Sequence, residues 1–84
     1  MSQAIFWTAD EIAEKADKIY QSRIRHLVET PENIGKMLVV DVETGEYAID
    51  ANGVESGMML KKKRPLAILF TFRIGYDVTV SFGG

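Results

Sequence analysis

The sequence predicts an α+β fold in a single domain over residues 1–84, with the element order α-β-β-α-β-β. Three observations predict it: an apolar stripe with helical spacing near the N-terminus, two pairs of strand-like segments that each turn at a glycine, and a short helix-like segment between the pairs. Two hairpins joined by a short helix favour a four-stranded, mainly antiparallel sheet, with one long N-terminal helix packed on one face.

The long helix has the clearest local signals. Thr8 and Glu11 have the spacing of a capping box, in which each side chain binds a free backbone N–H of the first turn. Because residue 30 precedes a proline, the helix is expected to end near Val28 or Glu29. The apolar stripe advances in steps of three and four residues and comprises Ile12, Ala16, Ile19, Tyr20, Ile24, Leu27 and Val28.

The remaining elements follow from alternating patterns and turn residues. Strands are predicted over residues 37–42, 46–50, 66–73 and 77–82, and a short helix over residues 54–63. Gly45 and Gly75 stand where the two hairpins need a residue with positive φ. The third strand is expected to carry apolar residues on both faces. Leu66, Ile68, Phe70 and Phe72 lie on one face, and Ala67 and Leu69 lie on the other.

The strand pattern also suggests a partner. The first and third predicted strands are apolar on both faces, as are central strands that are covered on both sides. The long helix can cover one face of the sheet, whereas the short segment around Met58, Met59 and Leu60 can cover only part of the other. We therefore expect a second chain to cover the rest, most simply in a symmetric homodimer. The alternative is one well-wrapped sheet that needs no partner.

Composition argues against several classes of protein. The net charge is −2, so no general attraction to nucleic acid is expected. The absence of cysteine excludes disulfides, thiolate metal sites and a cysteine nucleophile, and it makes the cytoplasm the expected compartment. The longest apolar run, residues 66–70, is too short to span a bilayer, and the first residues lack the pattern of a signal peptide. Neither membrane insertion nor secretion is therefore expected.

Candidate catalytic and metal-binding residues are few. His26 is the single histidine. Its place near the C-terminal end of the long helix indicates a solvated side chain that interacts favourably with the helix dipole. Carboxylates at the first hairpin can bind a cation or form an acid–base pair, although turn-flanking carboxylates are usually solvated. They are Asp41, Glu43, Glu46 and Asp50. The sequence predicts no catalytic residue, no cofactor and no metal site, and hence no enzyme.

A basic run lies at the end of the predicted short helix and consists of Lys61, Lys62, Lys63 and Arg64. One interpretation is a patch that contacts phosphate or an acidic partner. The other is that these cations complement the helix dipole and keep the following apolar strand soluble. Because no aromatic residues are interleaved with the run, the second interpretation is favoured and nucleic-acid binding is the weaker expectation.

The sequence ends in a diglycine, Gly83 and Gly84. Sulfur carriers and ubiquitin-like modifiers use such a terminus for adenylation, and the ββαββ order from residue 37 onward resembles their β-grasp core. In that interpretation Gly84 is the residue that is conjugated. Two observations oppose it: the fourth strand pattern runs to Phe82 and leaves almost no free tail, and a long helix precedes the ββαββ segment.

Two turn motifs carry a resemblance that covers most of the chain. They are Glu43-Thr44-Gly45 followed by Tyr47, and Arg73-Ile74-Gly75-Tyr76. Together with Ile19-Tyr20 in the opening helix, they resemble short uncharacterised proteins of photosynthetic bacteria. The resemblance implies an antitoxin-like partner of a neighbouring toxin or protease-like protein, and it supplies no functional residues. The sequence thus favours a small, non-catalytic protein-binding module, with the diglycine carrier and the nucleic-acid binder as alternatives.

Overall fold

A computed structural model describes residues 7–76 of the chain. It has an α+β fold in which a long helix packs on a three-stranded antiparallel sheet, as the sequence predicts at this level. The predicted fourth strand, residues 77–82, lies outside the described residues. The elements are α1 (Ala9–Ile19), a π-helical segment (Tyr20–Ile24), α2 (Arg25–Val28), β1 (Met37–Asp41), β2 (Tyr47–Asp50), α3 (Val54–Lys63) and β3 (Leu69–Arg73).

The long helix consists of α1, the π-helical segment and α2 in direct succession. Its start is the predicted capping box: the N–H of Glu11 donates to Oγ1 of Thr8 over 3.1 Å, and the N–H of Thr8 donates to the Glu11 carboxylate over 2.9 Å. The helix ends at Val28, also as predicted. Leu27, which the sequence placed in the apolar stripe, is instead 60% exposed.

The π-helical segment has a cause in the spacing of the buried side chains. Ala16, Tyr20, Ile24 and Val28 are all buried and recur at intervals of four. In a regular α-helix each such interval rotates the side chain by about 40° around the axis, so the last would turn away from the sheet. The wider turn of the π-helical segment offsets that drift and keeps the row on one face. The same adjustment leaves Leu27 outside the core.

The sheet has the strand order β2-β1-β3, with β1 in the centre and both pairings antiparallel. Strand β3 begins at Leu69, later than the predicted start at residue 66. Leu66 is therefore not in the apolar row that the sequence predicted for it, and its side chain is 87% exposed. Two backbone hydrogen bonds, from the N–H of Arg64 to Leu60 and from the N–H of Ala67 to Arg64, keep this stretch in a turn after α3.

The main core lies between the long helix and one face of the sheet. Its sheet side is formed by Leu38, Val40, Val42, Phe72 and Ile74. Tyr20 of the π-helical segment stacks on Phe72, with ring centroids 4.8 Å apart, so the helix and the sheet meet through aromatic rings as well as aliphatic side chains.

On the opposite face of the sheet, α3 packs across β2 and β1 and leaves Thr71 of β3 exposed. Val39 at the centre of that face is buried, and so are Ser56 and Leu60 on the inner side of the helix. The apolar pattern on both faces of β1 is thus satisfied within one chain, since the long helix covers one face and α3 covers the other. No helix within residues 7–76 is long and apolar enough to cross a membrane.

Both turn motifs contain a glycine with the predicted positive φ. Gly45 has φ +84° in the turn between β1 and β2, and Gly75 has φ +88° two residues after the end of β3. Non-glycine residues rarely adopt this backbone region. A side chain at either position would also meet a neighbour. A Cβ added at Gly45 would lie 3.2 Å from Nη1 of Arg23, and one added at Gly75 would lie 2.7 Å from Cδ1 of Ile34. The backbone conformation and the space around it therefore account for glycine at both positions.

Candidate binding surface on the short helix

The N-terminus of α3 is held by side chains of the loop before it. Asp50 accepts hydrogen bonds from the N–H of Gly53 over 2.7 Å, the N–H of Glu55 over 3.2 Å and the hydroxyl of Ser56 over 2.9 Å. Asn52 accepts from the N–H of Val54 over 2.9 Å. The first free N–H groups of the helix are thus bound within the chain, and Asp50, a candidate cation ligand in the sequence, has a capping role.

The C-terminal end of α3 is tied to the first hairpin by an ion-pair cluster. Nη1 of Arg64 lies 2.5 Å from Oδ2 of Asp41, and Nη2 of Arg64 lies 2.7 Å from Oε1 of Glu43. The other oxygen of Asp41 accepts from the backbone N–H groups of Glu43 and Thr44 over 2.9 and 3.3 Å. Asp41 is only 1% exposed, so its charge is buried and balanced inside the chain.

The electrostatics of this cluster favour the ionised carboxylate. Burial raises the pKa of Asp41, but the hydrogen bond from Arg64 and those from the backbone N–H groups of Glu43 and Thr44 lower it more, so the pKa lies below its usual value. The hydrogen bonds to Glu43 and Asp41 in turn raise the pKa of Arg64. A carboxylate held in this way is a structural anion.

The basic run at residues 61–64 is therefore divided between two roles. Arg64 binds Asp41 and Glu43, and Lys63 pairs with Glu46 over 3.2 Å. The ammonium group of Lys61 donates to the carbonyl oxygen of Pro65 over 3.4 Å. Lys61 and Lys62 are exposed, so they are the members of the run that can meet a partner. For Lys63 and Arg64 the structure thus shows ion pairs with carboxylates of the first hairpin, a structural role that the sequence did not predict.

The other predicted candidates do not form one site, although Asp41 and Glu43 share Arg64. Every carboxylate of the first hairpin that the sequence singled out has a partner in the chain: Arg64, Lys63 or the start of α3. Among residues 7–76 no group of three or more histidine and acidic side chains is arranged to hold a metal ion. His26 is exposed on the long helix, on the far side of the sheet from α3. Gly83 and Gly84 lie outside the described residues.

An exposed apolar surface on α3 is the feature that sequence reasoning missed. Met58 is 66% exposed, and Val54 and Met59 are also exposed. The buried residues Ser56 and Leu60 lie on the opposite side of the same helix, so α3 is apolar both toward the sheet and toward solvent. We call Val54, Met58, Lys61 and Lys62 the outer face of α3, while Met59 lies on the flank of the helix, between this face and the sheet. The sequence grouped the two methionines with Leu60 as cover for the sheet, whereas helical spacing would have separated them.

Comparisons of this chain with protein-family models, with curated proteins and with solved structures found no match.

Proposed function

We propose that this protein is a small, non-catalytic protein-binding module and that the outer face of α3 is its contact surface. The observation that carries the proposal is the exposure of Met58, at 66%, on a helix whose other side is already buried against the sheet. An exposed methionine beside a second methionine and a valine is typical of a surface that binds a partner.

The chemistry of the outer face indicates what kind of partner fits. Methionine side chains are flexible and polarisable, so they adapt to apolar groups of different shapes. Lys61 and Lys62 flank them and add positive charge that no carboxylate pairs with in the described ion pairs. A partner surface with apolar residues bordered by aspartate or glutamate would be complementary to this face. A toxin-like or protease-like protein, as the turn motifs suggest, would need to present such a surface.

If the partner is a second copy of this chain, the complex is a symmetric homodimer. The internal cover that α3 provides for Val39 removes one reason to expect it, while the exposed methionines supply another. A dimer through the outer face would bring Lys61 and Lys62 close to their own copies, and like charges oppose that approach. We therefore place the unlike partner first. Analytical ultracentrifugation from low to high micromolar concentration distinguishes the two, because only a self-pairing module changes mass.

The test is a quantitative binding experiment with matched variants. The chain is expressed at native level in its host, the protein that co-purifies in fixed stoichiometry is identified, and both are purified for calorimetric titration. Met58→Glu places a negative charge in the outer face and should weaken binding by about 100-fold, corresponding to about 3 kcal/mol at an interface centre. Leu27→Glu is the control, because Leu27 is similarly exposed but lies on the long helix across the sheet.

Two results would count against the proposal. If Leu27→Glu weakens binding and Met58→Glu does not, the contact surface lies on the long helix and the outer face is not involved. If no protein co-purifies and ultracentrifugation shows a monomer throughout, the chain is not a protein-binding module. Circular dichroism of both variants is needed alongside, since each change is at an exposed position and should leave the fold intact.

A further inference from the structure

Strand β2 has a free edge among the described residues. It is an outer strand in the order β2-β1-β3, and within residues 7–76 it pairs only with β1. An unpaired edge presents a row of backbone N–H and C=O groups to any extended chain that comes alongside. Proline, which blocks such pairing, does not occur in β2, and neither does lysine.

The hydrogen-bond pattern shows which backbone groups point outward. The N–H of Asp41 donates to the carbonyl oxygen of Glu46 over 2.8 Å, so the N–H of Asp41 points toward β2 and the C=O of Glu46 points toward β1. In an antiparallel pair such residues alternate with residues that turn their N–H and C=O away from the partner strand. Ala48 and Asp50 therefore bond toward β1, whereas Tyr47 and Ile49 direct their backbone groups to the free edge.

A cleft of about 180 Å³ lies beside this edge, between β2 and α3. Its lining residues are Ala48, Ile49, Asp50, Glu55, Ser56 and Met59. The small side chain of Ala48 and the flexible side chain of Met59 leave room for one aliphatic side chain. A strand added to β2 would direct every second residue toward this cleft, because side chains alternate between the faces of a sheet.

The charges around the cleft select the occupant. Its charged lining residues are the carboxylates Asp50 and Glu55, and Glu46 lies at the other end of β2. A second copy would add its own β2, which carries Asp50 and contains no lysine or arginine, so it would bring no cation to these carboxylates. A segment with a lysine or arginine is complementary instead. The favoured occupant is therefore a basic extended segment of another protein rather than a second copy.

We propose that the free edge of β2 binds an extended segment of a partner protein as an added strand, with an apolar side chain in the cleft and a basic side chain two residues away, near Asp50 and Glu55. This inference deepens the proposed function and rests on it, since it names the conformation and the chemistry of the segment that a protein partner would contribute. It assigns Tyr47 and Ile49 a backbone role in recognition.

The test uses a synthetic peptide whose pattern matches the cleft. The acetylated and amidated peptide TVLTKVT places leucine and lysine on the same face of a strand. The control peptide TVLTVKT has the same composition but moves lysine to the other face. Amide hydrogen exchange of the protein, followed by NMR, is measured with and without each peptide. We expect the first peptide at millimolar concentration to slow exchange at Tyr47 and Ile49 at least fivefold, and the control peptide to leave it within twofold.

Several outcomes would overturn the inference. If the amides of Tyr47 and Ile49 are already protected in the free protein at every concentration, the edge is covered within the chain. If protection appears only as protein concentration rises, the occupant is a second copy. If both peptides slow exchange equally, the carboxylates do not select the segment. If neither peptide slows it, the edge does not accept a strand of this chemistry.

A pair of variants separates this inference from the proposed function. Met59→Lys places a cation at the mouth of the cleft and should weaken binding of the TVLTKVT peptide at least fivefold, because it opposes the lysine of the peptide. Met58→Glu lies outside the cleft lining and should leave peptide binding within twofold. If Met58→Glu abolishes capture of the protein partner while the peptide fails to bind, the proposed function stands and the edge inference fails. Capture that survives Met58→Glu and Leu27→Glu but is lost with Met59→Lys supports the edge inference and removes the outer face of α3.

Discussion

Arg64 and Asp41 are 23 residues apart in sequence, and their side chains meet over 2.5 Å. The pair joins the residue directly after α3 to the last residue of β1, and Glu43 in the following turn binds the same guanidinium group. One cation thereby holds the end of the short helix against the first hairpin. The outer face of α3 and the edge of β2 consequently keep a defined position relative to each other.

Replacing Asp41 should destabilise the fold. Asp41→Ala removes the acceptor of one guanidinium hydrogen bond and two backbone N–H bonds at a buried position, and we expect the free energy of unfolding to fall by about 2–3 kcal/mol. Glu46→Gln is the matched control, because its ion pair with Lys63 is exposed and should contribute less than about 1 kcal/mol. Urea unfolding measures both. Equal losses in the two variants would contradict the structural role of Asp41.

Stability should also fall in acid because of Asp41. Its pKa is lower in the folded chain than the usual value of about 3.9, so the unfolded chain binds the proton first as the pH decreases. The contribution of Asp41 is therefore fully present above about pH 4 and is lost as the pH falls through the lower folded pKa. We expect the difference in unfolding free energy between the wild type and Asp41→Asn to shrink from pH 5 to pH 2. A difference that stays constant over that range would argue against an ionised Asp41.

Asp50 should control the start of α3. Asp50→Ala leaves the N–H groups of Gly53 and Glu55 and the hydroxyl of buried Ser56 without their acceptor, and a loss of about 1–2 kcal/mol is expected. Asn52→Ala removes a single exposed hydrogen bond and should cost less. Hydrogen exchange in residues 54–57 should accelerate more in Asp50→Ala than in Asn52→Ala. The reverse order would show that Asn52 is the main cap.

Tyr20 should contribute through its hydroxyl as well as its ring. The hydroxyl donates to Glu29 over 2.8 Å, so Tyr20→Phe keeps the stacking on Phe72 but should lower the unfolding free energy by about 1 kcal/mol at neutral pH. Burial and the hydrogen bond to Glu29 raise the pKa of Tyr20, so its neutral form is favoured in the folded chain.

The stabilising effect of Tyr20 is therefore complete below the usual tyrosine pKa of about 10 and declines above it. Stability curves of the wild type and Tyr20→Phe should converge as the pH rises from 9 to 11. Curves that remain parallel would mean that the hydroxyl does not titrate differently in the two states. The other tyrosines are present in both the wild type and Tyr20→Phe, so their titration cancels in the difference between the two unfolding free energies.

Local signals account for the elements that the sequence predicted best. The capping box at Thr8 and Glu11 and the proline at residue 31 set the two ends of the long helix, and the short helix has the predicted bounds of Val54–Lys63. Such signals act between residues a few positions apart, so they are visible in the order of the amino acids. The start of β3 was predicted too early because the apolar run begins at Leu66, whereas strand pairing begins only at Leu69.

The sequence by itself determined the fold class, the helix ends, the antiparallel hairpin at Gly45 and the apolar rows of β1, because each depends on local spacing. Only the tertiary structure decided the partners and exposure of particular side chains. It paired Asp41 with Arg64, turned Leu27 outward through the π-helical segment, and left Met58 exposed while Leu60 was buried. These outcomes depend on contacts between distant segments and on small rotations of a helix, and a single sequence records neither.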